Sequence, residues 1–357
     1  MTKTLLFSFT MAMTTSCGAQ EPASPKKHHI EGGFTNNYYH LDKGFSDVTK
    51  WWWERTTPEP KFFPLAKNDP AFLKSNKTEP TITWVGHSTF LIQIDGINIL
   101  TDPHFTERAS PVSFAGPKRY TQPGLSLDDL PQIDFVIISH DHYDHLDLTT
   151  VKALFDRQPE NPPVFFTGLK VKARFEAEGI TSAQEYDWWE STEIKGFNLH
   201  CVPVQHFSGR SLTDRNSTLW CGWIIERNGY QIFFGGDTGY SKDFKDIHDK
   251  FGDMDLSLIP VGAYDPRWFM ASHHVNPEEA IQIHRDLNSK LSIGMHWGTF
   301  ILTDEPVDEP PVRLAKGMQA IGPDSASFTV MQHGETRILN LNTSKKTEEV
   351  AEIEESK

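Results

Sequence analysis

Six consecutive residues bring together side chains that bind metals: His140-Asp141-His142-Tyr143-Asp144-His145 contains three histidines and two aspartates. Packed together without a cation, these groups would lose water and lack partners. Neutral imidazoles and carboxylates suit borderline metals such as zinc. Because His140 and His142 are two residues apart, both can point into one site from an extended turn. Asp144 and His145 lie on the next bend and can face a second ion. The segment therefore predicts a two-metal site.

Three other segments can complete the ligand set. Each is an apolar run that ends in one histidine or aspartate: His206, Asp237 or His296. Taken singly, such a residue after a strand is more typical of a structural role. Together they supply what the cluster lacks, and the joint pattern indicates a metal centre at the edge of a sheet.

The elements that must position these residues begin at Thr81, where short β-runs bounded by turns form a meander with Asp95-Gly96 as a hairpin turn. The run 135–139 is continuously apolar, which is typical of a strand buried on both faces. A later helix begins with Asn276 as its N-cap, Pro277 at the first position and Glu279 three residues after the cap. Strands first, and then strands alternating with helices, predict a layered α/β domain with helices outside two sheets.

The predicted strands are 81–85, 90–94, 97–100, 135–139, 197–204, 219–225, 230–234, 256–261, 291–295 and 328–332, and the predicted helices are 148–155, 171–178, 244–251, 278–287 and 312–321.

The start of the chain is typical of an export signal. Residues 1–17 combine a basic start with an apolar stretch that is too short to span a membrane, and they end at Cys17 after small residues. This resembles a degenerate bacterial lipoprotein leader, so we expect an exported protein, membrane-associated through a lipidated Cys17 on the periplasmic side or in the outer membrane. An ordinary secretory leader cleaved near Ala19 is the alternative, and a cytoplasmic location is disfavoured.

Residues 18–80 lack sustained periodicity and predict an irregular, aromatic-rich extension packed on the core. Its aromatic residues either pack against the domain or form a surface that enters a lipid interface. They are Trp51, Trp52, Trp53, Phe62, Phe63 and Phe72. The catalytic domain is expected to span 81–340, and 341–357 form a charged tail.

Composition restricts the class of protein. The 357 residues carry a formal net charge of −14 with 38% hydrophobic residues, which excludes a disordered or collagen-like chain. An acidic chain disfavours nucleic acid as a partner. Three cysteines are too few for a disulfide scaffold. Cys201 and Cys221 lie on strands that can be neighbours, and the sequence leaves their pairing open.

The ordered set His140, His142, Asp144, His145, His206, Asp237 and His296 resembles that of the metallo-β-lactamase superfamily. The resemblance implies a four-layer αββα sandwich with two Zn²⁺ ions per chain. One ion would take His140, His142 and His206, the other would take Asp144, His145 and His296, and Asp237 would bridge them.

Blocks outside the ligand set are similar to the family of phospholipases D that hydrolyse N-acylphosphatidylethanolamine. Examples are Gly116-Pro117-Lys118-Arg119 and Asp187-Trp188-Trp189-Glu190. The similar blocks are 84–89, 100–103, 108–111, 116–119, 187–190, 236–240, 259–270, 274–280 and 296–300. This implies a phosphodiesterase that releases N-acylethanolamine and leaves phosphatidate by attack of a metal-bridging hydroxide, with Asp144, Asp237 and His274 in the catalytic machinery.

The family resemblance also implies substrate contacts for Tyr143 and His274. His274 would hydrogen-bond the phosphate or protonate the leaving oxygen, although it could instead decorate the start of the helix capped by Asn276. For Tyr143, packing or an outward hydroxyl is the alternative. His87, Asp102 and Asp147 are expected to orient ligands rather than bind metal.

The family resemblance implies a phospholipid at a membrane surface as the partner. The sequence leaves open whether the chain forms a homodimer. A second hypothesis keeps the fold and metals but assigns a lactone or a cyclic phosphodiester as substrate. A third is a non-catalytic, metal-loaded, membrane-anchored protein. The complete ligand set weakens the third, since structural zinc sites are usually closed four-coordinate cages.

Overall fold

The computed structural model describes residues 26–41, 43–322 and 326–341, and two seven-stranded sheets form its centre. The leader with Cys17, and residues 342–357 of the charged tail, lie outside the described residues. Within the described ranges, no helix is both long and apolar enough to cross a membrane.

The strands are β1 (His29–Ile30), β2 (Gly33–Phe34), β3 (Thr81–Gly86), β4 (Thr89–Ile94), β5 (Ile97–Thr101), β6 (Phe135–Ile137), β7 (Val164–Gly168), β8 (Ala183–Tyr186), β9 (Ser191–Ile194), β10 (Phe197–Val202), β11 (Gly222–Arg227), β12 (Tyr230–Phe234), β13 (Leu256–Pro260), β14 (Leu291–Met295), β15 (Phe328–Val330) and β16 (Thr336–Ile338). The helices are α1 (Phe45–Glu54), α2 (Pro70–Ser75), α3 (Leu148–Asp156), α4 (Lys172–Ala177), α5 (Asp243–Phe251), α6 (Arg267–Met270), α7 (Pro277–Asp286) and α8 (Glu309–Ile321), with a 3₁₀ turn at Leu127–Asp129.

Each sheet joins an antiparallel half to a parallel half. The first has the order β16-β3-β4-β5-β6-β7-β8 and is parallel from β5 to β8. The second has the order β15-β14-β13-β12-β11-β10-β9 and is parallel from β12 to β15. Parallel strands direct their carboxyl ends to one edge of each sheet, which is where loops can gather functional side chains.

Burial on both faces of the strands creates the layers. In β3, Trp84 packs into the core between the sheets, whereas the next residue, Val85, packs into an outer core with Val151 and Leu154 of α3. Strands buried on both faces give continuous apolar runs. The helices α7 and α8 cover the second sheet in the same way. The predicted four-layer αββα sandwich is confirmed.

Two local predictions are confirmed by backbone geometry. Asp95 and Gly96 have φ values of +52° and +75°, as a type I′ hairpin turn between β4 and β5 requires. The Asn276 side chain accepts a hydrogen bond from Glu279 N, and the Glu279 carboxylate accepts one from Asn276 N, so α7 begins with a capping box.

The extension is less irregular than predicted. It contains the β1–β2 hairpin and the helices α1 and α2. The Trp51-Trp52-Trp53 run obscured α1 because consecutive tryptophans show no helical period. Trp51 stacks on Phe269 with ring centroids 5.0 Å apart, so one face of α1 packs on the domain.

Several predicted strands end early, and β7, β8, β9 and β16 were missed. The run 135–139 leaves the ladder after Ile137, since Ser139 N and Oγ both donate hydrogen bonds to Asp102. Likewise β10 ends at Val202 rather than 204, before the turn that carries His206. The residues that follow these strand ends leave the sheet, and their side chains lie in or beside the site. Cys201 and Cys221 are buried free thiols.

Candidate metal centre

The predicted ligands meet at one edge of the two sheets. The segment from His140 to His145 follows β6, His206 follows β10, Asp237 follows β12 and His296 follows β14. The approach is close: Gly236, at φ +55°, has so little room that a β-carbon there would lie 2.4 Å from the Cβ of Ser139. A glycine at this position lets the loop after β12 reach the loop after β6.

The first group of donor atoms consists of imidazole nitrogens. His140 Nε2 lies 2.8 Å from His142 Nδ1, which lies 3.3 Å from His206 Nε2. The far nitrogen of His206, Nδ1, donates a hydrogen bond to the carbonyl of His273 at 2.9 Å. This fixes the tautomer of His206 and leaves the Nε2 lone pair facing the group.

The second group surrounds the carboxylate of Asp144. Its Oδ2 lies 3.4 Å from His145 Nε2, 3.3 Å from His296 Nε2 and 3.0 Å from His87 Nε2. His87 was expected only to orient a ligand, yet its ring nitrogen stands among the donor atoms of this group. Its φ of +53° brings the imidazole to this position.

Asp237 lies between the two groups. Its Oδ2 is 3.1 Å from His145 Nε2 and 3.8 Å from His206 Nε2, and its Oδ1 is 3.1 Å from His296 Nε2. His274 borders the same carboxylate, with Nδ1 3.8 Å from Asp237 Oδ2. The position of Asp237 suits a carboxylate shared between two ions.

The histidines of the site fall into two sets according to the direction in which their pKa values are shifted. Burial, followed by repulsion from neighbouring imidazoles, holds the pKa of His140 and of His206 well below the ordinary value. Burial also lowers the pKa of His142, and it lowers the pKa of His274 to about 4. Neutral imidazoles of this kind keep a lone pair available for a metal.

The carboxylates of Asp144 and Asp237 raise the pKa of two other histidines, against the effect of burial. Burial lowers the pKa of His296, but Asp237 and Asp144 outweigh it and raise the value to about 9. The same carboxylates overcome burial at His145 and raise its pKa well above normal. Burial would raise the pKa of Asp144 and of Asp237, but the surrounding histidines hold both well below the ordinary range. The two carboxylates thus require positive charge beside them.

A divalent metal fits this requirement. His145 Nδ1 lies 2.6 Å from Asp102 Oδ2, so it donates there and turns the Nε2 lone pair toward Asp144 and Asp237. Among the residues that the structure describes, His145 Nε2 and Asp237 Oδ1 are buried without a hydrogen-bond partner. Ligands about 2.0–2.1 Å from a tetrahedral zinc are roughly 3.3 Å from one another. The separations of Asp144 and Asp237 from His145 and His296, 3.1–3.4 Å, are close to this. The two groups could hold one ion each.

Residues behind the ligands hold them in place. Asp102 is fully buried and accepts hydrogen bonds from Ser139 and His145, as expected of a residue that orients ligands. Asp147 differs from that expectation, since it caps α3 through Thr150 and also accepts from Thr106 N.

Sequence reasoning missed Asn36, which clamps the backbone of His206. Its Nδ2 donates to His206 O at 2.9 Å, and its Oδ1 accepts from His206 N at 3.0 Å. The chain near it is tied down by His28 and His29, which contact Asp187 at 2.6 and 2.8 Å. No local pattern links residues 170 positions apart.

Tyr143, Arg210 and Arg267 take structural positions. The hydroxyl of Tyr143 donates to Arg210 O at 2.9 Å, and the Arg210 guanidinium lies 3.9 Å from the centre of its ring. Arg267 pairs with Glu279 and donates to the carbonyl of His274. Tyr143 is therefore packed in the loop, and its role in substrate contact stays a prediction.

A cavity of about 350 Å³ opens above the two groups. His142, Asp144, Asp237 and His274 line its polar end, and Lys43 and Arg215 add positive charge. The rest of the wall is largely apolar and consists of Val48, Trp51, Phe207, Ala263, Phe269, Met270 and Leu302 with His273 and Thr303. A ligand held here would place a polar group at the histidines and an apolar portion against α1 and α6.

Comparison with known proteins gives consistent results. Residues 97–297 match a model of the Beta-lactamase superfamily domain. The chain is 43% identical over 247 residues to "N-acyl-phosphatidylethanolamine-hydrolyzing phospholipase D 1" of Caenorhabditis elegans, covering 67% of this chain and 69% of that protein. It is 36% identical over 239 residues to the mitochondrial enzyme of the same description from Saccharomyces cerevisiae, covering 65% of this chain and 50% of that protein.

Among solved structures, Igni18, a metallo hydrolase from Ignicoccus hospitalis, shares the fold with a TM-score of 0.54 at 20% identity. The match covers 74% of this chain and 100% of that one.

Proposed function

We infer the function of this chain from its family: it belongs to the metallo-β-lactamase superfamily, and within it to the family of N-acylphosphatidylethanolamine-hydrolysing phospholipases D, and it is a hydrolase. From this premise we propose that it is a two-zinc phosphodiesterase that hydrolyses N-acylphosphatidylethanolamine to N-acylethanolamine and phosphatidate. The observation that carries the proposal is the pair of donor groups, joined by Asp237, at the end of an apolar-walled cavity.

Two zinc ions held by His140, His142 and His206, and by Asp144, His145 and His296, with Asp237 shared, would neutralise a phosphodiester and activate water. The chain's own residues supply binding and orientation. Asp102 orients the ring of His145, and Asn36 holds the backbone of His206 in place. His274 lies at the cavity wall beside Asp237, where its imidazole can hydrogen-bond a phosphate oxygen or the oxygen that leaves with the ethanolamine.

The apolar part of the cavity supports a lipid substrate. Trp51 and Phe269 stack face to face and form a smooth wall for an alkyl chain. A small polar substrate would gain little free energy by moving from water to this apolar wall. An acyl chain, in contrast, gains free energy when it leaves water. A lactone or cyclic phosphodiester without a chain would leave the wall unused.

Exposed aromatic residues near the cavity support a substrate delivered by a membrane. Trp52 and Trp53 of α1 are 71% and 84% exposed, in the same helix whose Trp51 lines the cavity. Lys50 lies 4.6 Å above the ring of Trp268, which also flanks the cavity residue Phe269. Tryptophan and lysine together favour the phospholipid headgroup region. We propose that α1 faces the membrane, with the lipidated Cys17 as an additional anchor.

The experiment is a hydrolysis assay with zinc-loaded protein in detergent micelles of N-acylphosphatidylethanolamine or of phosphatidylcholine. We expect N-acylethanolamine and phosphatidate from the first lipid only, and loss of both products after chelation or in Asp237→Asn. Asp246→Asn is the matched control, because Asp246 is a carboxylate of α5 paired with Lys242 away from the ligand set. Cleavage of a lactone or a simple phosphodiester, with neither lipid cleaved, would refute the lipid assignment.

A further inference from the structure

A second cavity, of about 660 Å³, lies between the extension and the loop before β6. Its lining includes Arg55, Thr57, Phe62, Lys118 and Arg119, and it shares no residue with the cavity above the metal centre. Three of its lining residues are cationic and one, Glu107, is anionic. In a chain with a formal net charge of −14 this is a local reversal of charge.

Arg119 is the unusual member of this set. Its side chain is buried, with the residue 4% exposed. Its Nε donates to Thr106 O, and its Nη2 donates to His104 O at 2.7 Å. Its Nη2 also lies 3.0 Å from His104 Nδ1, and its guanidinium lies 4.8 Å from the centre of the Phe300 ring. Among residues 26–41, 43–322 and 326–341, no carboxylate forms an ion pair with it.

A buried guanidinium without a counter-ion is costly, because hydrogen bonds to neutral acceptors offset its charge only in part. Burial lowers the pKa of Arg119 to about 10, and the more distant Asp147 offsets this only in part, so the group is still charged at neutral pH. The other two cations are less available. Lys118 pairs with Glu107 at 2.8 Å, and Arg55 lies 3.6 Å from Asp304. An anion that enters the cavity would therefore act as the counter-ion of the Arg119 guanidinium.

The remaining walls indicate what carries that anion. Pro60, Phe62, Pro117, Tyr120 and Ile301 give the cavity a predominantly apolar lining. Phe62 is 80% exposed at the cavity. A free inorganic anion would gain nothing from these surfaces, whereas an alkyl chain would bury them.

We propose that this cavity is a second lipid site, which binds the phosphate of an anionic phospholipid at Arg119 and its acyl chain along Phe62 and Ile301. The site is separate from the one that performs hydrolysis. Guanidinium groups suit phosphate because their planar donors match its oxygens. The site would attach the protein to anionic membrane lipid while the metal cavity holds substrate.

The test is calorimetric titration of the zinc-loaded protein with dihexanoyl phosphatidate, dihexanoyl phosphatidylcholine and inorganic phosphate. The informative variants are Thr57→Glu and Thr57→Gln, since Thr57 is exposed and lines the cavity. The two side chains have nearly the same size, and only Glu adds a negative charge. Thermal unfolding and bound zinc are measured for both, so that a folding defect is recognised.

We expect phosphatidate to bind at two sites, and the site proposed here should persist in Asp237→Asn. Its affinity for phosphatidate should fall about tenfold or more in Thr57→Glu and stay unchanged in Thr57→Gln. Phosphatidylcholine and inorganic phosphate should bind this site less tightly. Arg119→Lys, which keeps the charge but loses the planar donors, should weaken it as well. Equal binding by Thr57→Glu and Thr57→Gln, or loss of all phosphatidate binding in Asp237→Asn, would overturn the proposal. Inorganic phosphate binding as tightly as phosphatidate would overturn the lipid assignment.

Discussion

Replacement of Asn36 by alanine should weaken metal binding although Asn36 touches no metal ligand atom. Its amide forms two hydrogen bonds with the backbone of His206, whose Nε2 belongs to the first donor group. Asn36 Oδ1 also accepts from Trp220 Nε1 at 3.1 Å. Asn36→Ala leaves the N–H and the carbonyl of His206 buried and unpaired, whereas Trp220 retains the carbonyl of Val204 at 2.9 Å.

The magnitude follows from these contacts. Each orphaned buried group costs about 1–3 kcal/mol, so the free energy of unfolding should fall by about 2–6 kcal/mol. A domain stable by about 10 kcal/mol, the middle of the usual range, would still fold. Loss of a residue that orients a ligand typically weakens metal binding about 10–100-fold. Because His206 Nδ1 keeps its hydrogen bond to His273 O, we expect the lower end, about tenfold.

Asn37→Ala is the matched control. Asn37 is the next residue and also forms a side-chain hydrogen bond, but to Asp243 rather than to the backbone of a ligand. Zinc affinity is measured by competition with a coloured chelator, and stability by urea unfolding. Equal zinc affinity in Asn36→Ala and Asn37→Ala would refute the idea that the extension positions His206.

Three further predictions concern the membrane face, acid stability and the metals. Trp52→Ser with Trp53→Ser should lower binding to phospholipid vesicles at least about tenfold, measured by co-sedimentation, because both rings are exposed; an equal loss in Val312→Ser, an exposed residue of α8, would count against a specific face. Burial opposes the ionisation of Asp187, but Lys26 and His28 hold its pKa at about 2, so its contribution to stability is complete above about pH 4 and lost as the pH falls toward 2; Asp187→Asn should remove that part of the acid transition, and an unchanged profile would contradict the assignment. Chelation should lower the melting temperature and zinc should restore it, since the carboxylates of Asp144 and Asp237 then lose their counter-charge; a melting temperature insensitive to chelator would show that the cluster holds no structural metal.

The sequence predicted the part of the site that local patterns encode. The four ligands from His140 to His145 lie within six consecutive residues, and Asp237 and His296 follow apolar runs whose parallel pairing brings their ends together. The sandwich itself follows from strands that are apolar throughout. Their early ends were not predictable, because the same residues could have continued the ladder.

The supporting residues were beyond local patterns. Asn36 meets His206 across 170 positions, and His28 meets Asp187 across 159. These contacts depend on how the extension packs, which neither periodicity nor spacing expresses. His87 entered the second donor group through a positive φ at the end of β3, where the sequence offered only an isolated histidine. The charge of Arg119 could be counted in the sequence, but the absence of a carboxylate paired with it in the described part of the chain could not.

The proposed reaction can be tested by hydrolysis of N-acylphosphatidylethanolamine in ¹⁸O-labelled water, with both products analysed by mass spectrometry. Attack of water at phosphorus breaks the bond to the ethanolamine oxygen, so we expect one labelled oxygen in phosphatidate and none in N-acylethanolamine. The label should disappear with activity in Asp237→Asn. Formation of diacylglycerol instead, or label in the N-acylethanolamine, would contradict the proposed reaction at this centre.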